Sequence, residues 1–109
     1  MPTVYKVLGQ VAPSATTNTT LYTVPSATST VVSTINVANT GGAADLVRIA
    51  VRPAGATLAN LHYITFAVQV PSGSVYTYTS GVTLATTDII TVYSTTGTSS
   101  FSAFGSEIS

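Results

Sequence analysis

The sequence predicts an all-β fold: a single β-sandwich of about eight antiparallel strands, with a jelly roll as the expected topology. Three observations predict it. Short runs of alternating apolar residues recur along the 109-residue chain, at intervals of about ten residues. Clusters of Gly, Pro, Asn and Ser separate these runs, and no stretch carries a helical period. Thr and Ser supply much of the polar content, and the branched Cβ of Thr suits a pleated sheet. A chain of this length makes one domain, residues 1–109, with one core.

The first predicted strand is Thr3–Val11, an edge strand with Val4, Lys6 and Leu8 on one face and Tyr5 and Val7 on the other. A loop over Ala12–Asn18 follows, then a short strand, Thr19–Val24. Pro25 ends it, because proline has no N–H to give the ladder. The stretch Ser29–Ala54 is central. Its two strands, Thr28–Asn39 and Asp45–Arg52, flank Thr40-Gly41-Gly42-Ala43-Ala44. Val31, Ile35 and Val37 are expected on one face of the first. In the second, Val47, Ile49 and Val51 face one way, and Arg48 and Arg52 the other. The Gly-Gly pair is expected to supply the positive φ of a reversal, making the two strands a central hairpin.

Pro53-Ala54-Gly55 closes that pair, and Ala56–Asn60 reads as a loop. Leu61–Val70 alternates strongly and is expected to place Ile64, Phe66, Val68 and Val70 on one face. Ser74–Thr79 carries Tyr76 and Tyr78 on one face and Val75 on the other. Val82–Ala85 is a short extended piece. Ile89–Ser94 is apolar on both faces and is therefore predicted to be deeply buried. Ser99–Ile108 is the closing strand.

Charge is the unusual feature of the composition. Asp, Glu, Lys and Arg make up 6% of residues, against about 25% in an ordinary soluble domain. Net charge is zero, so neither a basic footprint for nucleic acid nor a polybasic membrane patch is present. There is no cysteine, hence no disulfide and no thiolate metal site. No apolar run reaches the roughly 18 residues of a membrane helix, and MPTVYKVLGQ lacks the apolar stretch of a signal peptide. The expectation is a soluble chain without its own export signal. A neutral, hydroxyl-rich surface protects β edges poorly. Burial against partner subunits, a secreted binding module and compositional drift all fit it.

The inventory of reactive groups is short. His62 is the only histidine, Asp45, Asp88 and Glu107 the only carboxylates, and Lys6, Arg48 and Arg52 the only cations. Their spacing suggests no converging metal ligands, and no Gly-x-Ser-x-Gly elbow accompanies any serine. The expectation is therefore no enzyme, no catalytic residue, no cofactor and no metal, with His62 a satisfied rim residue. Two pairs stand out as candidate interface residues. Arg48 and Arg52 share a strand face about 13 Å apart and suit Asp45, Glu107, a neighbouring subunit's carboxylate or carbonyls, or solvent. Tyr76 and Tyr78 share a face and offer an aromatic platform for a glycan, although tyrosine is equally a strand and interface residue. Asn18-Thr19-Thr20 matches a glycosylation acceptor, a match expected to be coincidental without a secretory signal.

Several segments carry a resemblance. VLGQ (Val7–Gln10), TTLYTVP (Thr19–Pro25), TSTVVSTINVAN (Thr28–Asn39), RIAVRPAGA (Arg48–Ala56), TDIITVYS (Thr87–Ser94) and FSAFGSEI (Phe101–Ile108) resemble small virion structural proteins of tailed bacteriophages, notably those infecting cyanobacteria. The resemblance covers nearly the whole chain, in strand and turn segments rather than a chemical signature. It implies a structural protein of the virion without catalytic residues. Such proteins serve as capsid decoration (cement) or as tail, baseplate or fibre components. The implied partners are the major capsid protein or tail proteins of the same particle, and further copies of the chain, with a trimer the first expectation.

Overall fold

The computed structural model describes residues 2–79 and 81–109. Nine strands follow in order: β1 (Thr3–Val11), β2 (Thr19–Thr23), β3 (Ser29–Asn39), β4 (Asp45–Arg52), β5 (Tyr63–Val70), β6 (Val75–Tyr78), β7 (Val82–Leu84), β8 (Ile89–Ser94) and β9 (Ser99–Ile108). Two 3-10 turns, Pro53–Gly55 and Asn60–His62, lie between β4 and β5, and the described residues contain no α-helix.

The strands form two antiparallel sheets. One runs β1-β9-β3-β6, with β7 also on β3; the other runs β2-β8-β4-β5. β6 and β7 share one edge of β3, pairing with Ile35–Ala38 and Thr30–Val32 respectively. They act as one interrupted strand, which leaves eight strand positions. The chain crosses between sheets at almost every connection. Only β4–β5 and β6–β7 stay within one sheet. This order is the double Greek key of a jelly roll, the expected topology.

The core lies between the sheets. Ile35, Val37, Val47, Ile49, Ile90, Val92, Phe101 and Ala103 are fully buried there. β8 is buried along most of its length, as its two-sided apolar pattern predicts.

Three expectations are corrected. β3 and β4 are not a hairpin, because both edges of β3 are occupied by β9 and by β6/β7. β4 belongs to the facing sheet, and the link between them is an inter-sheet corner. Neither Gly41 nor Gly42 has a positive φ. Gly41 answers a demand for space, since a Cβ there would lie 2.6 Å from Thr98 Cβ. The Asn39 side chain holds the corner. Its Nδ2 donates to Ala43 O (2.8 Å) and Val70 O (3.0 Å), and its Oδ1 accepts from Gly41 N (3.0 Å) and Thr98 Oγ1 (2.9 Å).

The other two corrections concern strand faces. In β3 the register against β9 shifts between Val32 and Thr34. This bulge flips the alternation, so Thr30 and Val32 point inward before it and Ile35, Val37 and Asn39 after it. Val31 therefore faces out, 38% exposed, and does not join Ile35 and Val37. In β5 the register against β4 shifts between Val68 and Thr65, around Ala67 with φ 55°. Val70 and Thr65 are buried while Phe66 is 54% exposed, so Phe66 leaves the face expected for it.

Candidate functional site

Most of the ionisable groups are bound into the fold. Asp45, wholly buried at the start of β4, accepts hydrogen bonds from the hydroxyls of Ser94 and Ser99 (the latter 2.5 Å) and from Thr96 N (3.0 Å). Burial opposes its charge, but these donors outweigh burial and hold the carboxyl below the usual aspartate range. Asp88 accepts Ala54 N and Ala85 N, each at 2.9 Å. Glu107 accepts the Tyr22 hydroxyl at 2.5 Å and Lys6 Nζ at 3.2 Å, and its carboxyl is lowered, chiefly by the tyrosine. Burial, reinforced by that carboxylate, pushes the Tyr22 hydroxyl up to about 12. His62 is buried, with Nδ1 accepting Ala59 N at 3.0 Å. Among the described residues no three His, Asp or Glu side chains converge.

Tyr76 and Tyr78 are half-buried and pack against the core, so they do not present an outward platform. Arg52 is tied down within the chain. Its Nε donates to Thr91 Oγ1 (3.0 Å) and its Nη1 to Ala56 O (3.2 Å). Neither arginine pairs with Asp45 or Glu107, which are engaged by Ser94, Ser99 and Thr96 and by Tyr22 and Lys6 respectively. Among the described residues the one ion pair is Lys6–Glu107.

The two outer sheet faces differ sharply. On the five-stranded sheet, register places Tyr5, Ser106 and Val31 in one cross-strand row and Val7, Phe104 and Thr34 in the next. Tyr5 is 84% exposed and Val7 47%. Tyr5, Val31, Ser33, Phe104 and Ser106 line a shallow depression of about 460 Å³, with Lys6 at its rim. The outward alternation of this sheet contains only apolar, hydroxyl and amide side chains among the described residues.

The four-stranded sheet carries an aromatic and cationic cluster instead. Arg48 pairs with Tyr93 across β4–β8, and its guanidinium carbon lies 4.4 Å from the centroid of the Tyr93 ring and 4.4 Å from that of Phe66. Since β4 runs between β8 and β5, the two rings flank the guanidinium on opposite sides. Tyr63 meets Phe66 edge-on, with centroids 4.9 Å apart and planes at 79°. Beside them, Asn60, Tyr63 and Phe66 line an open cleft of about 370 Å³.

Sequence reasoning found Arg48 and its outward direction but missed its partners. Tyr93 needs the β4–β8 register to be seen beside it, and Phe66 is hidden by the bulge at Ala67. A comparison with protein-family models, curated proteins and solved structures found no match for this chain.

Proposed function

We propose that this chain is a structural protein of a tailed-bacteriophage virion, a capsid decoration protein that docks through the outer face of its five-stranded sheet. The observation that carries the reading is the partly apolar face formed by Tyr5, Val7, Val31 and Phe104, on which the one charge among the described residues, Lys6, is paired with Glu107. A surface of that kind suits a repeated, permanent contact. Apolar area drives association, and hydroxyls make directional bonds without the desolvation cost of charge. About 800 Å² per partner is enough for a specific contact, and many copies on a shell multiply its effect. The major capsid protein is the partner, and copies of the chain meet around the capsomer symmetry axes as trimers. The role is interfacial: added binding energy resists pressure from the packaged genome.

Electron cryomicroscopy of the intact particle tests the reading. The expected result is density for an eight-position jelly roll on the capsid exterior, with the β1-β9-β3 face against the shell. Density confined to the tail or baseplate rejects decoration and makes the chain an attachment component. A Val31→Asp variant supplies the biochemical arm. Val31 is already exposed, so the fold persists, while binding to undecorated capsids falls by about a hundredfold as an unpaired charge enters the contact.

A further inference from the structure

The arginine on the opposite sheet is incompletely used. Arg52, four residues away on the same face, spends its donors on Thr91 and Ala56. Arg48 has no hydrogen-bond acceptor and no carboxylate partner among the described residues, although it is only half exposed. The Phe66 and Tyr93 rings flank it, each with its centroid 4.4 Å from the guanidinium carbon. Its N–H donors remain free for a ligand. A planar fork of donors fits a carboxylate in bidentate fashion, and the flanking rings restrict the arginine side chain before any ligand arrives. The adjoining cleft, about 370 Å³, adds the exposed Phe66 ring, the Tyr63 ring and the Asn60 amide. That volume lies near the lower bound of small-ligand sites, about 300 Å³. Aromatic rings stack on flat C–H surfaces, and an amide supplies both a donor and an acceptor for hydroxyls.

We infer that Arg48, Phe66, Tyr63 and Asn60 form a binding site for a carboxylated sugar, a uronic-acid type of saccharide. The carboxylate takes the Arg48 fork, the apolar ring face lies on Phe66, and a ring hydroxyl meets Asn60. A bare carboxylate uses only the first of these contacts and a neutral sugar only the other two. The site lies on the sheet opposite the proposed docking face and stands independently of that reading.

The test uses the free, isotope-labelled protein in solution, with glucuronate as the probe and glucose and acetate as controls, followed by nuclear magnetic resonance. Glucuronate is expected to shift the Arg48 Nε–H signal together with the ring signals of Phe66 and Tyr63. Acetate binds at least about tenfold more weakly, and glucose leaves the Arg48 signal in place. Arg48→Lys keeps the charge but loses the fork, and weakens glucuronate binding by about tenfold or more while thermal unfolding stays cooperative. Phe66→Leu keeps an apolar side chain but loses the ring, with a loss of similar size. A silent Arg48 signal overturns the proposal. So does acetate binding as tightly as glucuronate, which marks a carboxylate contact without a sugar. Undiminished binding by folded Arg48→Lys or Phe66→Leu protein overturns it as well.

Discussion

Asp45 is a buried carboxylate with no cation paired to it among the described residues; two serine hydroxyls and one backbone N–H stabilise its charge instead. Asp45→Asn keeps the shape but turns an amide donor toward donors. It is expected to cost about 1–3 kcal/mol in urea unfolding. Because the folded carboxyl titrates below its unfolded value, its contribution is present above about pH 4 and disappears as pH falls through the lower folded value. The wild-type urea midpoint should therefore drop in acid, and the drop should be shallower in Asp45→Asn. Glu107, also lowered, leaves part of the acid dependence in place. Tyr22 works at the other end of the scale. Its hydroxyl is raised to about 12, so its contribution is whole below about pH 10 and is lost as pH rises through the folded value. Tyr22→Phe should lower stability by about 1–2 kcal/mol at neutral pH, stripping Thr30 and Glu107 of a partner, and should flatten the alkaline decline.

Bulges decide which face each strand presents, and they explain what the sequence shows and what it hides. The spans of β1, β4 and β9 match those read from the sequence, because apolar runs bounded by turn residues are visible in the letters. Val31 and Phe66 were beyond that reasoning. Each sits by a bulge that adds one residue to its strand, and neither bulged strand carries a glycine there. Sheet membership was hidden too. Nothing local to Thr40–Ala44 distinguishes a hairpin from an inter-sheet corner; the edges of β3 are claimed by strands far along the chain. Of the candidate site, Arg48 was legible and its aromatic flanks were not. The bulge at Ala67 carries its own prediction. A residue with a Cβ at φ 55° is strained, so Ala67→Gly should raise stability by up to about 1 kcal/mol in thermal or urea unfolding. Gly105 is the opposite case. A Cβ there would lie 2.0 Å from Val31 O, and Gly105→Ala should cost about 3 kcal/mol.

The whole molecule separates its surfaces: a partly apolar, hydroxyl-rich face on one sheet, an arginine between aromatic rings on the other, and carboxylates held by hydrogen bonds at the corners and edges. The sandwich between them depends on Val47 and Ile49, both fully buried, and Val47→Asp should abolish cooperative unfolding by circular dichroism. β9 has a further consequence. It lies between β1 and β3 and hydrogen-bonds to both along nearly its full length, yet it comes long after both in sequence. During translation β1 and β3 emerge early and have no common partner until residues 99–108 leave the ribosome. Until β9 joins them, β1 and the facing edge of β3, both nearly uncharged, stand unpaired, so the rate of that late pairing sets how long those edges stay open to other chains.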